Sequence, residues 1–250
     1  MKTILITGAT AGIGKATADI FAKNGFNVIV TGRRKDRLDK LAKELAKKYE
    51  VQSLPLCFDV QKRTEVEKAV NALGKEWKKI DVLVNNAGLA LGLSTIQEGN
   101  IDDWETMIDT NVKGLLYMTR MVAPIMIENG SGHIINIGSV AGKETYPNGN
   151  VYCATKHAVD TLSKAMRIDM LPHGIKVTAI HPGMAETEFS LVRYKGDTEK
   201  AKKVYAGLKA LTAEDIAETI YWTASRPEHV NISDLVITPK AQANATTVKR

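Results

Sequence analysis

The sequence predicts an α/β fold: one domain built on a doubly wound parallel sheet with helices on both faces. Three observations carry this. Short apolar segments alternate with longer amphipathic ones along the 250 residues, which is the order that right-handed β–α–β crossovers produce. Several of the short segments are near-continuous Val, Ile and Leu, as strands covered on both faces are. The length suits one large core better than two, and no repeat, low-complexity tract or linker interrupts it, so 1–250 reads as a single unit.

Residues 2–7 read as the first strand, and 14–24 as a helix with Ala18, Ile20, Phe21 and Ala22 among its apolar positions. Residues 27–31 follow as a second strand and 35–49 as a strongly charged helix. The third strand, 52–58, contains Pro55, which calls for a bend or an edge-like position. Residues 65–77 read as helix, 82–84 as the core of a fourth strand, and 102–126 as a long helical region broken near Pro124. A fifth strand at 133–137 precedes a helix at 151–171, which Pro172 and Gly174 end. Residues 176–180 form the sixth strand. A loop with short helices, 182–211, has the character of a substrate loop. Residues 213–224 are helical and 234–237 fit a last strand. The polar tail, 241–250, is expected either to fray or to dock on another subunit.

Composition excludes several classes. With 44% hydrophobic and 25% charged residues the chain is ordinary globular protein. The net charge of +6 is spread over helical stretches such as 35–48, as a solvated face rather than a nucleic-acid stripe. A local basic patch for an anionic cofactor or substrate stays open. Cys57 and Cys153 make no disulfide framework. The first residues read as a strand rather than a signal peptide, and no apolar run approaches the ~20 residues of a membrane span. A cytoplasmic protein with neither nucleic-acid nor membrane partners is expected. The five histidines lack metal-ligand spacing, so no metal is implied.

Between the first strand and helix lies Thr7-Gly8-Ala9-Thr10-Ala11-Gly12-Ile13-Gly14. Glycines let backbone approach a ligand, and a helix N-terminus offers free N–H groups to a phosphate. A plain strand–helix turn is the alternative, but the strand before and the helix after favour a dinucleotide site at Gly8, Thr10, Gly12, Ile13 and Gly14. At the end of the second strand an NAD enzyme carries an acid for the ribose 2′-OH. This chain has Thr31-Gly32-Arg33-Arg34. Guanidinium groups pair with phosphate in a fork, so Arg33 and Arg34 point to the 2′-phosphate of NADP; otherwise they are two surface arginines opening a charged helix. Asp59, followed by Val60, could accept from an adenine amino group or cap the next helix. Asn85 and Asn86 follow the fourth strand, where amides can stitch strand ends beside the cofactor's path.

Ser139 follows the fifth strand, Tyr152 comes thirteen residues later, and Lys156 four after that, on the same helix face. Carbonyl reduction needs this set. The carbonyl oxygen must receive a proton as hydride reaches carbon. A free tyrosine titrates near 10, and a neighbouring ammonium lowers it. Ser139 can hold the substrate oxygen. Singly, each is an ordinary packing or surface residue.

The motifs TGATAGIG at 7–14, NNAG at 85–88, Asn111, Ser139 and Tyr152-Cys153-Ala154-Thr155-Lys156 together resemble the short-chain dehydrogenase/reductase family over nearly the whole chain. The resemblance implies a Rossmann-like domain, usually a homodimer or homotetramer. It implies Tyr152 as general acid/base, Lys156 on the nicotinamide ribose, and Ser139 on the substrate. It also implies Asn111 at a helix kink with a proton-relaying water, and cofactor contacts at Asn86, Pro182, Gly183 and Thr187. Read from the residues alone, Asn111 would be a surface position. The stretches 88–92, 103–120 and 187–197 are similar to a narrower group, NADP-dependent 3-hydroxy acid dehydrogenases acting on serine, allo-threonine, 3-hydroxyisobutyrate and small semialdehydes. Such a substrate needs a carboxylate receptor. Arg193 is the candidate, with an exposed or subunit-contacting arginine as the alternative. Residues Met184-Ala185-Glu186 depart from the group's glycine-containing pattern. His181 and His157 read as structural. A ketoreductase for acyl thioesters or other ketones, and a non-catalytic dinucleotide-binding sensor or scaffold, are the competing functions.

Overall fold

The computed structural model describes all 250 residues. Seven strands form one parallel sheet in the order β3-β2-β1-β4-β5-β6-β7: β1 (Thr3–Ile6), β2 (Asn27–Gly32), β3 (Ser53–Cys57), β4 (Val82–Asn85), β5 (His133–Ile137), β6 (Lys176–Pro182) and β7 (Asp234–Ile237). The helices are α1 (Gly12–Lys23), α2 (Lys35–Tyr49), α3 (Arg63–Asn71), α4 (Ile101–Ile108), α5 (Leu115–Glu128), α6 (Asn150–Met170), α7 (Glu188–Arg193), α8 (Thr198–Lys203) and α9 (Ala213–Ala224).

Side chains alternate across a strand, and the sheet sorts them into two cores. Ile4 and Ile6 of β1, with Val28 and Val30 of β2, pack beneath α1, α2 and α9. Leu5 and Ile29, one residue out of phase, pack with Leu83, Ile134 and Val177 against α3, α5 and α6. Full burial of such a side chain contributes about 1.5–3 kcal/mol, so a central strand apolar on both sides is the stable solution. Pro55 lies in β3, at the edge of the sheet, opposite Val30; a strand with one free side tolerates the missing donor.

Two helical expectations need correction. The segment expected as one helix over 65–77 ends at Asn71, and a separate 3-10 turn, Lys75–Trp77, follows Gly74; glycine is a poor helix interior residue. The long helical region is not broken at Pro124, which lies inside α5. Pro124 and Arg120, four residues earlier, are both exposed, so α5 carries the proline on its solvent side. The irregularity is instead a π-helical stretch, Asp109–Gly114, centred near Asn111; such bulges recur at functional sites.

The tail is not frayed. It folds onto its own chain: Ala243 N–H donates to Thr247 O (3.0 Å), Lys249 N–H to Ala241 O (2.8 Å), and Arg250 Nη2 to Val204 O (3.1 Å). Strand order reverses between β1 and β4, and the carboxyl ends of the strands open there into a cleft, where such sheets bind ligands.

Candidate active site

A cleft of about 530 Å³ runs along these strand ends, from Arg33 and Arg34 at one extremity to Tyr152 and Arg193 at the other. Its floor is the turn between β1 and α1. Gly8 (φ +67°) and Gly12 (φ +51°) adopt left-handed backbone. A Cβ on Gly14 would stand 2.5 Å from both Asn86 Nδ2 and Gly8 O, so the turn can be this tight only with glycine there. Gly14 thus shapes the floor from beneath and does not line it. The first turn of α1 has no side-chain cap and no acidic residue, which leaves its N–H groups for an anion. A dinucleotide pyrophosphate fits this cradle.

Asn86 Nδ2 donates to Thr7 O (2.8 Å) and Gly8 O (3.2 Å), and Asn85 Nδ2 to Asn136 Oδ1 (2.9 Å), so the amides do join neighbouring strand ends. Arg34 Nε and Nη2 donate to Thr10 Oγ1 (3.0 and 2.7 Å), and its Nη1 to Glu188. Arg33 is freer, with 60% of its side chain exposed and Asp59 at 3.7 Å. Asp59 does not cap α3, whose N-cap is Lys62. Its Oδ1 accepts from Gln61 N–H (3.0 Å), closing an Asx turn that sets Asp59 and Val60 on the cleft wall.

At the other end, Ser139 Oγ accepts from Ala141 N–H (3.1 Å). That bond fixes the oxygen and leaves the hydroxyl proton to donate into the cleft. Tyr152 and Lys156 lie in the first turns of α6 and both line the cleft. Lys156 Nζ donates to Ile137 O (2.8 Å) and stands 6.0 Å from the Tyr152 ring centroid. Asn111 is buried, not a surface residue. Its Nδ2 donates to Leu89 O (2.8 Å) and Thr155 Oγ1 (3.0 Å), and its Oδ1 accepts from Leu89 N–H (2.9 Å). A Cβ on Gly88 would lie 3.3 Å from Asn111 Oδ1 and 3.4 Å from Lys156 Nζ, so the two groups are neighbours across that glycine. Asn111 stands behind the wall rather than on it.

The phenol departs from the expectation that its ammonium neighbour lowers it. Burial pushes Tyr152 above its ordinary value, Tyr146 adds to this, and Arg193 and the Ser139 hydroxyl oppose it. Burial also pushes Lys156 down to about 8. Both shifts follow from the low-dielectric pocket, which disfavours phenolate and ammonium alike.

Arg193 is neither exposed nor turned outward. Its guanidinium lies 4.9 Å from the Tyr152 ring centroid and 5.6 Å from that of Phe189, its Nη2 donates to Tyr146 Oη, and its buried Nε has no partner. An arginine facing the phenol with a spare donor can receive a carboxylate. The segment carrying it has a definite path. Glu186 N–H donates to Leu211 O (2.8 Å), Leu211 N–H to Met184 O (2.9 Å), and Thr187 caps α7 through Phe189 N–H (3.2 Å). Pro182, Gly183 and Thr187 line the cleft, and Met184 N–H donates to Gln242 Oε1 (2.8 Å) of the tail.

His181 is fully buried off the cleft, with Nδ1 3.2 Å from Ser139 O and Nε2 near Asp160 and Asp234, which Lys143 bridges. His157 Nδ1 rests on Cys153 O (2.9 Å). Sequence reasoning missed Tyr146, Phe189 and Tyr205 as cleft-lining residues, and Gln242 and Ala245 of the tail. Phe189 sat inside a stretch already singled out; the tail residues gave no local signal.

Residues 2–197 match the model of the short chain dehydrogenase family. The chain is 50% identical over 243 residues to the NADP-dependent 3-hydroxy acid dehydrogenase YdfG of Salmonella typhi, covering 97% of this chain and 96% of that protein. It is 46% identical to the serine 3-dehydrogenase of Agrobacterium fabrum, with the same coverage. Among solved structures, the closed form of a serine dehydrogenase complexed with NADP+ superposes with a TM-score of 0.92 at 48% identity, covering 99% of both chains.

Proposed function

The chain belongs to the short-chain dehydrogenase family, and from that premise we propose that it moves a hydride between NADP(H) and the hydroxyl-bearing carbon of a small 3-hydroxy acid. It is an NADP-dependent oxidoreductase, as its full-length relatives are. The single observation that carries the substrate class is Arg193: a guanidinium with an unpartnered donor, held among aromatic rings directly over the reacting phenol.

NADP+ accepts the hydride when bound, and NADPH returns it. The remaining work belongs to this chain. The turn at Gly8, Thr10, Gly12, Ile13 and Gly14 receives the pyrophosphate. Arg33 and Arg34 receive the 2′-phosphate, with Asp59 and Val60 beside the adenine. Asn86, Pro182 and Gly183 border the nicotinamide half, and Thr187 lies beside the phosphate turn. Ser139 donates to the substrate oxygen. In oxidation Tyr152 takes the hydroxyl proton as hydride leaves carbon, so alcohol and NADP+ become carbonyl, NADPH and one proton. Lys156 holds the ribose and, with Asn111 at its side, passes that proton outward. Residues 182–211 act as the substrate lid. A spectrophotometric screen tests this reading: NADP+ should be reduced with serine or 3-hydroxyisobutyrate. Turnover restricted to acetoacetyl thioesters would instead make the protein a ketoreductase.

The pKa directions support an expected pH dependence. The raised phenol keeps its proton at neutral pH, which suits reduction; oxidation needs the phenolate. Oxidative turnover should therefore climb through the alkaline range. Reductive turnover should decline above about pH 8, as Lys156 loses its charge. Rate profiles in both directions check this, and an oxidative optimum at acidic pH would contradict it.

Arg33→Ala should weaken NADPH about tenfold or more, the order of one lost charge-assisted contact, and leave NADH within twofold. Equal losses in fluorescence titrations would remove the 2′-phosphate role.

A homo-oligomer, dimer or tetramer, is supported by exposed large apolar side chains: Ile168 and Leu171 at the end of α6, Trp222 on α9, and Val236 on β7 at the edge of the sheet. Light scattering should return a mass of two or four copies; a monomer would overturn this part. No helix is long and apolar enough to cross a membrane.

A further inference from the structure

Helix α7 has its two ends in different places. Its last residue, Arg193, stands over the Tyr152 ring. Its first, Glu188, reaches the opposite extremity of the cleft, where Oε2 accepts from Arg34 Nη1 and Oε1 from Arg37 Nη1, both at 2.8 Å. The same end rests on the phosphate turn, because a Cβ on Gly12 would meet Thr187 Cβ at 3.3 Å. Arg34 in turn is tied to Thr10 of that turn through Nε and Nη2. A guanidinium has five N–H donors. Three of Arg34's are committed to Thr10 and Glu188, which leaves two for a phosphate.

A six-residue helix tilts easily when only one end is held. The Arg193 end is tied by Arg193 O, which accepts from Gly92 N–H (3.0 Å), and next to it by Lys195 on Asp103 (2.8 Å). The Glu188 end has no ion pairs but those to Arg34 and Arg37. Both pairs are part-exposed, at 44–52% of side-chain surface, and exposed pairs are individually weak. The Glu186 backbone bond and the Thr187 cap hold the segment just before it, and two guanidiniums on one carboxylate add the side-chain tie at the first residue of α7 itself. The Glu188 carboxyl is correspondingly held below its usual range, by Arg34 first and Arg37 next among the groups that lower it.

We infer that Glu188 is a positioning residue for the substrate receptor: paired with Arg34 and Arg37, it latches α7 to the cofactor's 2′-phosphate end and so holds Arg193 at the distance a substrate carboxylate needs. The inference rests on the reading of Arg193 given above. It assigns Glu188 and Arg37 an effect on hydroxy-acid affinity, although neither side chain contacts the reacting atoms.

The test is steady-state kinetics with NADP+ and 3-hydroxyisobutyrate. Glu188→Gln should raise the KM for the acid about 3- to 10-fold, the range for one or two exposed ion pairs. kcat should stay within twofold, and NADP+ affinity by fluorescence titration within threefold. Arg37→Gln should raise the same KM. The double variant should be no worse than Glu188→Gln alone, because both substitutions break one latch. An unchanged KM in Glu188→Gln, effects of the two substitutions that multiply, or a fall in kcat at constant KM overturns the inference; Arg37→Gln decides alone if the Glu188 variant does not fold. No turnover of hydroxy acids by the unmodified enzyme instead defeats the functional reading itself.

Discussion

Tyr152→Phe should lower kcat by about 10²–10⁴-fold, the contribution of a positioned acid/base, while NADP+ affinity stays within about twofold of the parent. The substitution removes one oxygen from a buried ring and keeps its packing against Phe189, whose centroid is 5.7 Å away. The other hydroxyls of this end are engaged elsewhere: Tyr146 Oη accepts from Arg193, and Ser139 is pinned by Ala141 N–H, its hydroxyl a donor, not a base, near neutral pH. The loss therefore belongs to the proton step and not to binding. Circular dichroism and a cofactor titration separate that outcome from misfolding. A variant with a tenth of parental kcat would mean that another group handles the proton.

The second large effect is expected at Arg193. Arg193→Met keeps the length and apolar contact of the side chain and removes its charge. A hydrogen bond to a charged group contributes about 1.5–3 kcal/mol, which corresponds to roughly 10- to 150-fold in kcat/KM, carried mainly by KM. Methyl esters of the same hydroxy acids lack the carboxylate and should lose little. The sign of a further change is fixed by charge. Arg193 lowers the Tyr152 phenol, so its removal should move the rise in oxidative rate to higher pH. Equal losses with acid and ester would mean that Arg193 supports the pocket without reading the carboxylate.

What the sequence made legible was whatever is local. Ser139, Tyr152 and Lys156 stood out because an i, i+4 pair after a strand-end serine is a short-range pattern, and the cleft brings all three to one end. The glycine turn was legible for the same reason, as was the edge position of Pro55. The π-helical stretch at Asp109–Gly114 was not, because what favours it is tertiary: Asn111 clasps the Leu89 backbone, 22 residues away. Propensity pointed instead to Pro124, which α5 carries in its interior without ending. Asp59 was half legible, since its side chain chose the turn amide over the helix cap. The raised Tyr152 phenol needed the depth of the pocket, which no sequence neighbour reports. The tail was illegible outright: Gln242 reaches Met184 across 58 residues, a contact with no local trace.

Hydride transfer itself is tested most directly by isotope. The enzyme would be given NADP+ and 3-hydroxyisobutyrate with both hydrogens of the hydroxyl-bearing carbon replaced by deuterium, and the NADPH formed would be weighed by mass spectrometry. The account predicts one deuterium per NADPH, on the nicotinamide ring, with none released to water. Deuterium appearing in solvent, or NADPH formed without label, would contradict it.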